Sequence, residues 1–214
     1  MINKLQNAQL IIWDFDGVIK DSIAAKGIAF VETLKITDKQ LAARVREDHM
    51  RSAGVTRQTK IEKYLTWLDR PISQLTVKHY LSEFSKITID KVCESDWVPG
   101  VREYIRNNYL RQKFVVASST PQVELQHIME RLKLDFYFEK IHGYPKSKFE
   151  AATEAMNSLQ VSPRNTFFIG DTNLDKRTAE SLHVTFCLRR TTYNSWVKIG
   201  KNQMEVQDFL CLIN

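Results

Sequence analysis

The sequence predicts an α/β protein: a doubly wound, mostly parallel sheet, interrupted after its first strand by a helical segment. Three observations carry this. Short apolar runs at 10–14, 113–117 and 166–169 each end abruptly in polar residues, as buried strands do. Stretches of helical periodicity separate the later runs, and alternating strands and helices imply parallel strands joined by crossovers. Residues 20–95 show helical patterning without a strand pattern, and roughly 75 residues are too many for a simple connection. The expected division is a core of 1–19 and 96–214 and a helical unit of 20–95.

The first strand, Leu10-Ile11-Ile12-Trp13, runs into Asp14-Phe15-Asp16-Gly17. In the helical stretch, Ile23, Ile28, Val31 and Leu34 suggest one stripe. Thr37 or Asp38 is placed to cap a helix through about 50, with Leu41 and Val45 four apart. Gly54 breaks the chain. Thr56 caps the next helix, with Ile61, Tyr64, Leu65 and Leu68 inward as far as Pro71, and a further helix is expected over 73–87. Val98-Pro99-Gly100-Val101 re-enters the core, followed by a helix near 100–111 and the strand at 113–117. Thr120 suits an N-cap and Pro121 a first helical turn, before the stripe Val123, Leu125, Ile128, Met129 and Leu132. A short strand near 139–142 leads to Ser147 and Glu150, which have capping-box spacing for a helix to about 159. The strand at 166–169 ends in Gly170-Asp171-Thr172-Asn173-Leu174-Asp175. A helix at 173–182, a strand at 184–188 and a terminal helix from 203 complete the pattern.

Composition bounds the class. The chain has 214 residues, 43% hydrophobic and 26% charged, which is ordinary for a globular protein. Its net charge is +6, which favours anionic ligands. The basic residues are scattered among acids with no basic run, as on solvated faces, and phosphorylated small molecules account for the charge as well as nucleic acid does. Cys93, Cys187 and Cys211 are odd in number and far apart, so they read as free thiols in a reducing compartment without a zinc site. No signal-peptide pattern and no run long enough for a membrane span appears, and a cytoplasmic setting is expected.

Parallel strands carry their carboxyl ends on one edge, where α/β proteins bind ligands. Asp14 and Asp16, Ser118 and Ser119, and Asp171 and Asp175 all follow strands and can converge there. Two carboxylates as close as Asp14 and Asp16 repel unless a cation or proton intervenes. A hard cation such as Mg²⁺, bound by one or two carboxylates together with substrate phosphate, suits them. Against these stand structural readings: aspartate starts turns, serine caps helices, and Asp175 sits where acids favour helix starts.

With these residues in order, the chain resembles the haloacid dehalogenase (HAD) superfamily over about 9–190, in its phosphatase and phosphomutase branches. The stretch Asp14-Phe15-Asp16-Gly17-Val18-Ile19-Lys20-Asp21-Ser22 carries much of the likeness. The resemblance implies a Rossmann-like core and makes the helical stretch a C1-type cap that closes over it. It makes Asp14 the nucleophile and Asp16 the general acid/base. It puts phosphate on Ser118, Ser119 and a lysine, with Lys148 preferred and Lys146 the alternative. It assigns Mg²⁺ to Asp14, the Asp16 carbonyl and Asp171, supported from behind by Asp175. Arg57, delivered by the glycine turn at Gly54, is a candidate for a second anionic group of the substrate; pairing with a neighbouring carboxylate is the alternative. His49, His79, His127, His142 and His183 show no ligand spacing and are read as structural or exposed.

The expected activity is a Mg²⁺-dependent phosphomonoester phosphatase acting on a small phosphorylated metabolite (a sugar, polyol or glycolate-type phosphate) through an aspartyl-phosphate. A β-phosphoglucomutase-like mutase would hand the phosphoryl group to a second sugar hydroxyl. A non-catalytic binding protein of the same fold would hydrolyse nothing. Nucleic-acid end processing would show strongly salt-dependent oligonucleotide binding.

Overall fold

A computed structural model describes residues 2–52, 54–201 and 203–213. The chain begins with α1 (Ile2–Gln6) and β1 (Leu10–Trp13), then enters four helices: α2 (Ile23–Thr33), α3 (Lys39–Arg51), α4 (Arg57–Trp67) and α5 (Gln74–Glu94). It continues through α6 (Val101–Asn108), β2 (Lys113–Pro121), α7 (Gln122–Arg131), β3 (Lys140–Tyr144), α8 (Lys148–Leu159), β4 (Thr166–Gly170), α9 (Asn173–Ser181), β5 (Thr185–Arg189) and β6 (Met204–Val206). Two units result, Met1–Asp21 with Asp96–Asn214, and Ser22–Ser95. The junction falls two residues later than the sequence suggests. Gly17 N donates to Lys20 O, Lys20 forms isolated bridges to Asp16 and Trp97, and Asp21 N donates to Asp96 O at 2.8 Å. These bonds tie residues 20 and 21 to the first unit.

In that unit six parallel strands form one sheet in the order β3-β2-β1-β4-β5-β6. Leu10 to Trp13 pair with Lys113 to Val116 on one side and with Thr166 to Ile169 on the other. The winding reverses between β1 and β4, so a crevice opens beyond their carboxyl ends. The central strands are buried on both faces, which is why they read as continuous apolar runs rather than alternating ones. Leu10, Ile12, Val115, Ala117 and Phe168 pack with Ala151, Ala152 and Ala155 of α8. On the opposite side Trp13 meets Tyr104, Phe114 and Phe209 with ring centroids 5.3–5.9 Å apart.

The tail contributes a strand where a helix is expected. Met204 and Val206 are buried and Glu205 is exposed, a period of two, and all three residues pair with β5. Phe209 N then donates to Pro99 O at 2.9 Å. A Cβ at Gly100, where φ is +76°, would stand 2.7 Å from Leu210 N. Glycine at that position admits the tail and supplies the left-handed turn that starts α6.

The second unit is a helical bundle in which α2 packs on α3 and α5, and α4 on α5. Its core joins Phe30, Leu34, Val45, Ile61, Tyr64, Leu65, Val77 and Phe84, with Phe30 stacked on Phe84 at 4.1 Å. Asp38, rather than Thr37, caps α3 by accepting from Leu41 N, and Thr56 caps α4 by accepting from Thr59 N. The buried stripe of α2 is centred on Ala29, Phe30 and Thr33, while Ile28 is exposed; the larger Phe30 ring takes the core position. The last core helix runs seven residues past 87, to Glu94. Phe84, Thr88 and Val92 are buried at intervals of four, so packing overrides the β-branched run Ile87-Thr88-Ile89. Among the described residues no helix is long and apolar enough to cross a membrane.

Candidate active site

Asp14 is the first residue beyond β1. Its backbone amide continues the ladder to Ile169 O at 2.8 Å, and the residue is 5% exposed. Asp14 Oδ1 accepts from Phe15 N at 2.7 Å, which turns the carboxylate back over the strand end. Asp14 Oδ2 lies 2.8 Å from Lys148 Nζ.

Lys148 is the first residue of α8. Ser147 caps that helix: its hydroxyl accepts from Glu150 N, and Glu150 Oε2 accepts from Ser147 N at 2.8 Å. A cation at a helix start is unfavourable by itself. Here the ammonium is buried between two carboxylates, with Asp175 Oδ1 at 2.5 Å. Burial lowers the lysine's pKa, but Asp14 and Asp175 outweigh it, so the group is held above the usual lysine value and stays charged. Lys146 goes elsewhere: it pairs with Glu154, which Lys140 also reaches at 2.8 Å. Two lysines flank Ser147, and the turn aims only the second at Asp14.

Asp175 is fully buried and does two jobs at once. Its Oδ2 accepts from Thr172 N at 3.0 Å and from Thr172 Oγ1 at 2.5 Å, closing a capping box at the start of α9, while Oδ1 holds Lys148. One carboxylate thus both caps α9 and contacts Lys148. Gly170, the last residue of β4, makes room for it: a Cβ there would overlap Asp175 Cβ and Cγ. Gly170→Ala is expected to push Asp175 away from Lys148. A destabilisation of about 1–3 kcal/mol should follow, as for an overpacked core. Urea unfolding measures it, and an unchanged midpoint would mean that the Asp175 packing is dispensable.

Asp171, just past β4, is 3% exposed, and among the described residues no hydrogen bond or ion pair reaches its carboxylate. Carboxylate oxygens of Asp14, Asp171 and Asp175 lie within 4.8 Å of one another. The titration behaviour reflects that crowding. Burial pushes the Asp14 carboxyl up to about 7; Lys148 pulls it down while Asp175 and Asp16 push it up. Burial, then Asp14 and Asp175, raise Asp171 well above the usual carboxylate range. A buried, unpaired carboxylate beside a second one fits a hard cation with oxygen ligands. Asp175 is committed to Lys148 and to the Thr172 cap, and Asp14 to Phe15 N and Lys148, whereas the Asp171 carboxylate, beside Asp14, has no such bond among the described residues.

Asp16 is half-buried, and its Oδ2 accepts from Thr120 Oγ1 at 3.1 Å. Thr120 therefore belongs to the end of β2 rather than to a helix cap; Pro121 takes the cap position of α7 without a side-chain bond. The β2–β3 register shifts between Ala117 and Pro121, so three residues of β2 bulge at the carboxyl edge. Ser118 in that bulge is buried, and its hydroxyl accepts from Thr120 N at 3.1 Å, whereas the Ser119 side chain is exposed. Arg57 is in the helical unit, donating to Ser85 Oγ at 2.9 Å with its guanidinium over the Phe84 ring.

Two residues here escape a reading of the sequence. Thr120 stands two positions after Ser118, and that extended spacing was the available signal. Asn194 had none. It is buried in the loop after β5 and donates from Nδ2 to both Asp171 O and Arg189 O at 2.8 Å, bracing the Asp171 backbone from the tail.

Residues 11–188 match the family of haloacid dehalogenase-like hydrolases. No curated protein matches the chain in sequence. Several solved structures share its fold at low identity. One from Haemophilus somnus, described as a predicted phosphoglycolate phosphatase, is 17% identical with a TM-score of 0.78, covering 95% of each chain. CbbY from Rhodobacter sphaeroides, in complex with xylulose-1,5-bisphosphate, is 14% identical with a TM-score of 0.75, covering 94% of this chain and 95% of its own. A haloacid dehalogenase-like family hydrolase from Streptococcus pneumoniae is 16% identical with a TM-score of 0.64, covering 96% of this chain and 91% of its own.

Proposed function

The chain belongs to the haloacid dehalogenase-like hydrolases, and from that premise we propose that it is a Mg²⁺-dependent phosphomonoester phosphatase for a small phosphorylated metabolite. The observation that carries the reading is the buried Asp14 carboxylate, held against Lys148 at 2.8 Å beside the unpaired Asp171. Like-folded proteins described as a phosphoglycolate phosphatase and as a complex with a sugar bisphosphate are in keeping with that substrate class. Cys93, Cys187 and Cys211 form no disulfide among the described residues, in keeping with the reducing, cytoplasmic setting that goes with it.

In this reading one Asp14 oxygen attacks phosphorus. The P–O bond to the substrate breaks, and the departing alkoxide takes a proton from Asp16. The aspartyl-phosphate then meets a water whose proton returns to Asp16. The water oxygen bonds phosphorus, and Asp14 leaves as a carboxylate, so both residues are restored. Thr120 Oγ1 orients the Asp16 carboxyl through its 3.1 Å bond. Lys148 neutralises Asp14 and the incoming phosphoryl oxygens, and Asp175 keeps the lysine in place. Ser118 and the Ser119 amide are assigned to the phosphoryl oxygens. Asp14 and Asp171, with the Asp16 carbonyl, are assigned to Mg²⁺, which when bound supplies positive charge against the phosphoryl group. The helical unit is assigned the choice of substrate, with Arg57 as one candidate contact.

The decisive experiment is phosphate release from a panel of phosphorylated metabolites with Mg²⁺ and with chelator, using Asp14→Asn as the blank. Release confined to the Mg²⁺ arm supports the reading. Equal release with chelator removes the metal from it, and no release above the blank removes hydrolysis. A persistent phosphoenzyme and a bisphosphate intermediate, in place of free phosphate, would mark a mutase. A second expectation concerns Asp16→Asn. It should slow hydrolysis of alkyl phosphates by about 10²–10⁴-fold, the usual contribution of a positioned acid/base. Aryl phosphates, whose leaving groups need less protonation, should suffer less. Equal losses on both classes would take Asp16 out of leaving-group protonation.

A further inference from the structure

The helical unit contains a buried cation that the chemistry above does not use. Lys60 lies at the end of the first turn of α4 and is 5% exposed. Its ammonium meets His49 Nδ1 at 3.1 Å and His49 O at 3.4 Å. Among the described residues no carboxylate is in ion-pair contact with it. Asp48, the acid nearest in effect, is already engaged by Lys63 at 2.5 Å and by the Tyr64 hydroxyl at 3.0 Å.

The setting works against a cation in three ways. Burial removes the hydration of the ammonium. Lys26 and Lys63 add charge of the same sign. The start of α4 carries the positive end of the helix dipole and has no acidic residue in its first turn. Burial accordingly pushes the Lys60 ammonium down to about 8; Asp48 opposes the shift, and Lys26 and Lys63 reinforce it. A chain that buries an ammonium at a helix N-terminus, without a contacting carboxylate, has built half of an ion pair.

We propose that Lys60, with His49 beside it, forms a binding site for a small oxyanion, a phosphoryl or carboxylate group, built from residues of the helical unit. The ammonium donates to His49 Nδ1, so this ring nitrogen is the acceptor and the neutral imidazole carries its proton on Nε2. An oxyanion receives the one ammonium proton not directed at His49 and replaces the hydration that burial removed. The competing role for Lys60 is purely structural, a cap on the carbonyl end of α3 through His49 O. The two roles predict opposite responses to removal of the charge.

The test uses the full chain and reads binding, so it does not depend on whether the protein is a phosphatase. The His49 ring resonance, assigned with His49→Gln, is followed by NMR while inorganic phosphate, and separately acetate, is titrated. Phosphate or acetate is expected to shift that resonance saturably, and whichever binds more tightly names the group. In Lys60→Met the shift is expected to vanish. The anion-free Tm is expected to rise by roughly 2–4 °C, because an uncompensated buried charge is gone. Lys60→Arg should keep the anion response. A His49 resonance that neither anion moves overturns the proposal outright, with no variant required. So does a response that survives in Lys60→Met, and so does a Tm that falls in Lys60→Met, which is the signature of a lost cap.

Discussion

Asp14→Asn is expected to leave a folded protein with turnover reduced by roughly 10³-fold or more, the scale on which loss of a nucleophile registers. The substitution keeps the size of the side chain, and the amide oxygen can still accept from Phe15 N as Oδ1 does at 2.7 Å. What it removes is chemical. An amide does not accept a phosphoryl group to give an intermediate that water then cleaves, and it brings no negative charge to Lys148 at 2.8 Å. Intact-protein mass spectrometry provides an independent readout. Wild-type protein quenched during turnover should gain the mass of one phosphoryl group, and Asp14→Asn should not. Residual turnover above a few per cent of wild type, or a phosphoryl adduct that persists in the variant, would move the nucleophile to another residue. Circular dichroism and urea unfolding confirm that the comparison is made between folded proteins.

Lys148→Met should damage stability as well as activity. The lysine is 7% exposed and is the only cation in contact with Asp14 and Asp175 among the described residues. Removing it leaves three carboxylates whose oxygens lie within 4.8 Å. Breaking a buried ion pair from one side costs about 3–5 kcal/mol, because the partner charge remains without compensation. Turnover is expected to fall by roughly 10²–10³-fold, the loss typical of one preorganised electrostatic contact. Two controls isolate the cause. Lys146→Met deletes a half-exposed, solvent-screened pair with Glu154 and should leave the urea midpoint nearly unchanged. Lys148→Met combined with Asp14→Asn should be more stable than Lys148→Met alone, since one of the stranded charges is gone. Strict additivity of the two substitutions, or equal losses at 146 and 148, would mean that Lys148 is not the counter-charge of this cluster.

These expectations rest on a core whose organisation was largely legible in the chain. Apolar runs that stop dead at Asp14, Ser118 and Gly170-Asp171 announce buried strands, because a strand covered on both faces has no polar positions until it leaves the sheet. Parallel pairing then brings the three ends to one edge. Ser147 with Glu150 marked the start of α8 through local backbone chemistry alone, and Thr172 with Asp175 has the same spacing at α9. Where the local signal is ambiguous, tertiary contacts decide the outcome. Met204-Glu205-Val206 carries a period of two over only three residues, too short to outweigh an expected terminal helix, and becomes a strand because β5 offers an open edge. Thr120 sits before a proline like a helix cap, yet the bulge in β2 turns its hydroxyl to Asp16.

By itself the sequence determined the α/β class, the helical insertion and the identity of the acids and serines at the strand ends. Each of these follows from periodicity or from bonds between residues three or four apart. Tertiary structure alone decided which of two lysines reaches Asp14, that Asp175 serves both Thr172 and Lys148, that Asn194 braces Asp171, and that Lys60 is buried against His49 with no contacting carboxylate among the described residues. The physical reason is the same in every case. A charged side chain takes its role from its dielectric surroundings and from the charges within a few ångströms, and those neighbours come from segments far apart in the chain.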